Sequence, residues 1–404
     1  MSDELLIEAN RSWPNTPGKY RLGIRDNILV PPDELDQPET FSNHDQTGYT
    51  IVTPGWVNAH AHLELSAAPA IQYNGDFVDW IYQVLEFKLS QTKEQIREAY
   101  RRGAHSLHQS GVAHVLDHCD KTQWILDVAG ELPIDVRPLK ELIAFPPEHR
   151  TQKLEEARQF ITRAEEQDLS WGLAPHAPYS AHPELYSQTR ELIDRHGGTF
   201  SSHLHEIREE LRFTEESTGR FQDLIRDRTG DRIDSPWRER PVAQLCRDGV
   251  YDSPGLAVHM NYLTDSDIEW VEGHNLYPVF CPRSYQYFRH ETKPIQIYPE
   301  REIPFCLGTD SIASNEGLNM LEELETLAQW TDNIDPETIL KALTVYPTRV
   351  MGEPERGVLS WGTPADLSIF EVPETDPVHE LARGNARPIA VVNDGNLTRL
   401  EPFN

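Results

Sequence analysis

Cysteine is scarce: the 404-residue chain has 4, Cys119, Cys246, Cys281 and Cys306, scattered and never in a C-x-x-C pair. Neither a disulfide framework nor a cysteine-built zinc site is expected, and a reducing compartment is the simpler reading. Basic residues are outnumbered, 37 Lys and Arg against 66 Asp and Glu, for a formal charge of −29. That excess of acid argues against nucleic acid or an anionic membrane as partner. No run of about 18 apolar residues occurs, so nothing is expected to span a membrane. The opening Met-Ser-Asp-Glu-Leu-Leu-Ile-Glu has neither the basic start nor the apolar stretch of a secretory signal. Internal repeats and low-complexity segments are missing too. A cytoplasmic protein acting on a small molecule is the expectation. Hydrophobic residues make up 38% and aromatics 9%, enough for a large core.

The length suits a barrel of about 250 residues or more with additions. Residues 1–53 read as short strands broken by turns, with the polar, proline-rich stretch Val30 to Gln46 as a loop. From Thr53 a short apolar run, a polar tip and an amphipathic helix recur. Eight strand candidates follow: Trp56–His62, Val112–His118, Val136–Phe145, Trp171–Pro178, Thr199–His205, Leu256–Asn261, Leu276–Pro282 and Ile303–Asp310. The helices between them carry ordinary signals. Ile96, Tyr100, Ala104 and Leu107 form one stripe, Pro183 opens a helix that Gly197 ends, Thr264-x-x-Asp267 reads as a cap, and Asp335-Pro336 opens another helix. Alternating strands and helices imply a parallel sheet, and eight units imply a closed α/β barrel of the (β/α)8, TIM-like kind. Arg208 to Arg247 is long and charged and reads as an elaboration, a candidate lid. After Arg356 strand-like runs return, so both chain ends are expected to build one small β-sandwich domain. The expected division is 1–53 and 357–404 for that domain and 54–356 for the barrel.

His60-Ala61-His62 ends an apolar run. Residues two apart on a strand share a face, and barrels build sites at strand C-termini, so both imidazoles should project into one space. Two neutral histidines suit a borderline metal. An isolated H-x-H is common by chance among 17 histidines, but other strand tips add to it. The fifth candidate ends His203-Leu204-His205-Glu206 and the eighth ends Thr309-Asp310-Ser311, which offers a set of three histidines and one aspartate. His176 and His259 end the fourth and sixth, and His118, at the second tip, is a weaker candidate. Spacing alone does not choose between His203 and His205. His105, His108, His114, His149, His182, His196, His274 and His290 are read as helix or loop residues.

PGWVNAHAHLELS, APHAPYS, SHLHEIREE, AVHMNYL, CPRS and LGTDSIASN, in this order, resemble the amidohydrolase superfamily over roughly residues 50 to 370. More narrowly they are similar to its aminohydrolase/chlorohydrolase branch, which includes adenosine-type, guanine-type and triazine-processing enzymes. The resemblance implies that His60, His62, His203 and Asp310 bind one divalent metal, Zn2+ or else Fe2+. It implies that Glu206 shuttles a proton from the metal-bound water to the substrate. His259 would hold the attacking hydroxide or the developing oxyanion, Asp310 would help accept the water's proton, and His176 would touch the substrate. The family's H-x-x-E pattern selects His203. Members with two metals carry a bridging lysine at the fourth strand's end. Here that strand ends Leu173-Ala174-Pro175-His176, and Lys140 on the third reads as structural, so one metal is expected. H-x-E…P-C-x-x-C and H-E-x-x-H are missing.

HAHLELS followed by Gly75-Asp76-Phe77-Val78-Asp79-Trp80 looks most like aminodeoxyfutalosine deaminases, which act on an adenine-bearing substrate. Trp80 and Phe77 are read as stacking on the base or packing a helix, Glu64 as reaching the pocket rim or capping the first loop, and Arg283 with Ser284 as binding ligand or bracing the barrel mouth. Three readings stay open: a deaminase of an amino-substituted purine-like ring by metal-activated hydroxide, a triazine- or chlorohydrolase-type enzyme with another leaving group, and a non-catalytic scaffold. The ligands and Glu206 are all present, which disfavours the last. A homodimer is implied by the resemblance alone.

Overall fold

The computed structural model describes residues 4–14, 20–42, 48–145, 147–292, 294–331 and 333–401. Eight parallel strands run in chain order around one sheet: β1 (Trp56–Ala61), β2 (Val112–Cys119), β3 (Asp135–Leu142), β4 (Gly172–Pro175), β5 (Thr199–Leu204), β6 (Gly255–His259), β7 (Leu276–Phe280) and β8 (Cys306–Leu307). Every strand falls within the run expected for it, apart from one- or two-residue extensions at an end. The ring closes where Ala61 bridges Asp310, and the N–H groups of Thr309 and Asp310 both donate to the His60 carbonyl at 3.1 Å. β8 is short because the chain must cross close over β1. A Cβ on Gly308 would lie 3.0 Å from three atoms of His60, so only glycine admits that approach.

The barrel interior is apolar. Val57, Ala59, Leu116, Leu139, Ala174, Leu256, Val258, Val279 and Cys306 pack together, and Val350 and Met351 join them. Around it stand helices whose ends obey local rules. Thr92 and Gln95 form a reciprocal cap for Lys93–Gln109, Thr264 and Asp267 do the same for Asp265–Glu272, and Gly197 ends Pro183–His196 with a left-handed φ of 83°. Among the described residues no helix is long and apolar enough to cross a membrane.

Both chain ends form a β-domain of two sheets. One orders Ile28–Val30, Tyr20–Arg25, Glu4–Ala9 and Glu39–Ser42; the other orders Asn396–Arg399, Arg387–Asn393, Leu367–Val372, Tyr49–Pro54 and Arg11–Ser12. Ile7, Leu22, Ile24 and Phe41 of the first pack on Val52, Leu367, Ile369 and Ala390 of the second. The loop expected over Val30–Gln46 therefore needs correction: Glu39–Ser42 is a strand, paired in parallel with Leu5–Glu8 so that Phe41 is buried. Residues 43–46 of that stretch lie outside the described residues. His114 also needs correction, because it belongs to β2. Its Nδ1 stands 3.2 Å from Asp135, its Nε2 stands 3.4 Å from Asp366 of the β-domain, and Arg356 pairs with the same Asp366.

The charged stretch after β5 forms three helices, Arg208–Glu216, Arg220–Thr229 and Pro241–Arg247. Its apolar side, Phe213, Phe221, Leu224 and Ile225, packs on Phe77, Phe145, Tyr179 and Phe288 from the strand-end loops. It roofs the C-terminal mouth of the barrel.

Candidate metal centre and active site

The strand tips converge. His60, His62 and His203 place one donor nitrogen each within 4.8 Å of one another. Asp310 Oδ1 stands 3.4 Å from His60 Nε2 and 3.8 Å from His62 Nε2. Val57 and Ala59 face the barrel interior, yet His60 and His62 also reach the mouth. The pairing of β1 with β2 slips between Asn58 and Ala61, and such an irregularity changes which residues point inward. His203 donates or accepts through Nδ1 with the His176 carbonyl at 2.9 Å, which leaves Nε2 for the centre. Asp310 Oδ2 accepts hydroxyl bonds from Ser284 at 2.7 Å and Ser314 at 2.6 Å, which leaves Oδ1. His60 is fully buried, and neither of its ring nitrogens has a hydrogen-bond partner. Burial holds the His60 and His203 imidazoles below their usual pKa, so both are neutral at pH 7. Asp310 is held well below the carboxylate range: burial opposes ionisation, but the His60 imidazole and its neighbours outweigh it. Neutral imidazoles and an ionised carboxylate are the forms a divalent cation needs, and this set fits one.

Glu206 follows β5 and is 4% exposed. Its Oε1 stands 3.6 Å from His259 Nε2. Burial, with the negative charge of Asp310 added, lifts its pKa well above the usual range. His259, at the tip of β6, is pushed down to about 3, mainly by burial. A neutral imidazole thus faces a carboxyl group kept in its acid form.

A cavity of about 380 Å3 opens over these groups, lined by His62, His176, His203, Glu206, His259 and Asp310 at its floor. Phe77, Trp80, Val84, Phe145, Tyr179 and Ile225 supply apolar walls. Trp80 lines the cavity, stacks on Phe77 with centroids 5.2 Å apart and donates its indole N–H to the Ala313 carbonyl at 3.0 Å. His176 also lines it, with Nδ1 on Ser180 Oγ at 2.7 Å. Three of the residues singled out in the sequence stand outside the lining. Glu64 is buried against Lys88 Nζ at 2.5 Å. Arg283 pairs with Glu322 and donates to the Gly317 carbonyl at 3.3 Å. Ser284 reaches the site through Asp310. His118 lies beside the cluster, its ring 4.5 Å from that of His60 and its Nε2 on Ser201 Oγ at 2.8 Å.

Glu141 was missed. It is 3% exposed at the end of β3, and its Oε1 stands 3.8–3.9 Å from His62, His118 and His176. Burial opposes its charge, but those imidazoles and Lys88 hold its pKa near 2. Strand alternation is the signal that finds it, because Leu139 and Glu141 share the inward face while Lys140 points to the helices. His118, Glu141 and His203 form a second group with metal-ligand spacing. It shares His203 with the first, and one free nitrogen serves one ion at a time.

The sequence profile of the amidohydrolase family matches residues 51–399. An aminodeoxyfutalosine deaminase of Nitratiruptor sp. is 25% identical over 357 residues, 83% of this chain and 82% of the relative. A crystal structure of Helicobacter pylori aminofutalosine deaminase with methylthio-coformycin superposes with a TM-score of 0.81 at 19% identity, over 97% of this chain and 99% of the other. An adenosine deaminase from Xanthomonas campestris with bound zinc gives 0.79 at 21% identity, over 99% and 94%. With its barrel, its ordered motifs and that near-complete match, the chain belongs to the amidohydrolase family.

Proposed function

We propose that this enzyme is a metal-dependent hydrolytic deaminase of an amino-substituted purine-like ring, with an aminodeoxyfutalosine-type nucleoside as its leading substrate. The observation that carries the reading is Glu206, a buried carboxyl group kept in its acid form beside His259 and over the His60, His62, His203 and Asp310 cluster. An aminated aromatic ring resists attack by water until a ring nitrogen is protonated, and an acid held inside the cavity supplies that proton. The names of the relatives support an adenine-like ring over a triazine.

His60, His62, His203 and Asp310 hold the ion, and their nitrogen and carboxylate donors suit zinc, although iron accepts the same set. A divalent ion so held supplies hydroxide at neutral pH by lowering the pKa of its water from about 15.7 to about 7. Glu206 takes up the proton of that water and delivers it to the ring nitrogen. His259 hydrogen-bonds the oxygen that becomes the product carbonyl. His176 and Trp80 orient the ring, and the roof over Tyr179 and Phe221 keeps bulk water out. The four free buried cysteines support a reducing, cytoplasmic location.

Glu206→Gln keeps the shape and removes the transferable proton. Turnover should fall about 10²–10⁴-fold with metal content unchanged, read as ammonia release from a panel of adenine nucleosides and chlorinated or aminated triazines. Retained ammonia release in the variant removes Glu206 from proton transfer, and halide release from the parent in place of ammonia overturns the deaminase reading.

A further inference from the structure

Glu206 sits on a turn that the backbone alone does not favour. His205, just before it, is left-handed at φ 52°, and across the gap His259 and Met260 are left-handed at 76° and 50°. Such values cost a non-glycine residue energy and persist only where neighbours enforce them. Two side chains enforce them here. Glu210, on the first turn of Arg208–Glu216, turns its carboxylate back under the loop. There it accepts the N–H of His205 at 2.8 Å and also the N–H of Glu206. Asn261 donates its side-chain amide to the Glu206 carbonyl at 3.1 Å, and its own N–H donates to the His205 carbonyl at 3.0 Å. Glu210 is 0% exposed and Asn261 2%.

We propose that Glu210 and Asn261 are positioning residues for the reaction, gripping the two main-chain polar groups of Glu206 so that its carboxyl group is presented to His259 and the substrate. Asn261 lies two residues after His259, so the same side chain fixes the tip of β6 against the tip of β5. The Glu206–His259 distance of 3.6 Å is therefore set from both sides. A carboxylate is a costly choice for this task, since burying one without a cation is unfavourable, and no Lys or Arg nitrogen among the described residues lies within ion-pair range of Glu210. The role rests on the assignment of proton transfer to Glu206, through which both residues act.

The test uses the metal-loaded full chain as Glu210→Ala, Glu210→Gln and Asn261→Ala, with kcat, KM, bound metal and crystal structures measured for each. Displacement of a catalytic group by about 1 Å costs about a hundredfold. We expect kcat to fall about 10- to 100-fold in both alanine variants while KM and bound metal stay at parental values. Glu210→Gln keeps an acceptor oxygen and should recover most of the loss. The alanine structures should show the Glu206 carboxyl group withdrawn from His259, with His60, His62 and His203 in place. The proposal is overturned if Glu206 stays in place, if the loss falls on KM or on metal, or if Glu210→Gln is as impaired as Glu210→Ala. Should Glu210→Ala fail to fold, Asn261→Ala and Glu210→Gln carry the same comparison. If the parent releases no ammonia from any nucleoside, the deaminase reading falls, and the crystal structures still decide whether these residues hold Glu206.

Discussion

Asp310 offers the sharpest quantitative test of the metal centre. Its Oδ2 accepts two hydroxyl hydrogen bonds, from Ser284 at 2.7 Å and Ser314 at 2.6 Å, and both serines are at most 1% exposed. Each bond to a charged acceptor contributes about 1.5–3 kcal/mol, because no water replaces it in a buried site. The two bonds stabilise the ionised, correctly turned carboxylate whose Oδ1 faces His60 and His62. Removing one should therefore weaken metal affinity about 10- to 100-fold, the range also found for partners that orient metal ligands elsewhere. Ser284→Ala with Ser314→Ala should cost more than either alone, but less than the product, since both act on one oxygen. Competition against a chromophoric chelator at fixed pH reads the affinity, and circular dichroism checks the fold. Acidification adds a second reading. The depressed pKa of Asp310 should rise when the hydroxyls are removed, so metal should be released at a higher pH than in the parent. If the double variant binds metal as the parent does, Asp310 is not held in the way the geometry indicates.

Burial would lower the pKa of His114, but Asp135 and Asp366 lift it to about 9, so its contribution is full below pH 6.5 and is lost as pH rises to 9. That amounts to about 3 kcal/mol, and the urea midpoint of the parent should drop across that window while that of His114→Gln stays flatter. Phe221 is 0% exposed, with its ring 4.0 Å from that of Tyr179. Phe221→Ala should destabilise by about 3–5 kcal/mol and raise KM, and a variant with parental KM would separate the roof from substrate binding. Chelation should lower the thermal midpoint, since ion at about 100 times its Kd stabilises by about 2.7 kcal/mol; an unchanged midpoint would mean that no ion is held there.

The eight barrel strands were legible because each is a short apolar run buried on both faces, which few other elements mimic. Their tips were legible because His60, His176, His203, His259 and Asp310 are polar residues at the ends of those runs. Glu141 was overlooked because attention fell on its neighbour Lys140, although strand parity with Leu139 puts the glutamate inward. Arg283 was read as a ligand contact or a brace, and only the position of Glu322 puts its guanidinium outside the cavity lining. Glu39–Ser42 was hidden for a different reason. Four residues with one buried phenylalanine carry almost no periodicity, and their strand character comes from pairing with Glu4–Ala9, a tertiary effect. Nor can sequence show that Ser284 and Ser314 meet on one carboxylate oxygen.

Three of the residues that surround the reacting centre, His205, His259 and Asp310, are left-handed, at φ 52°, 76° and 57°. Each immediately follows or ends a barrel strand, where the chain must leave the sheet direction within one residue. A relaxed exit would carry the next side chain away along the strand axis. The left-handed exit folds the chain back across the mouth, which is how Glu206 comes to face His259 and how Asp310 comes over His60. The cost is of order 1–3 kcal/mol at each position, and the surrounding ladder sustains it. The His60 carbonyl takes the N–H groups of Thr309 and Asp310, and Glu210 and Asn261 fix the turn at His205. Stability spent at these tips is thus converted into convergence of groups from β1, β5, β6 and β8. Relaxing any one tip, by a substitution that removes its enforcing contact, should make the chain easier to fold locally and the site poorer at chemistry.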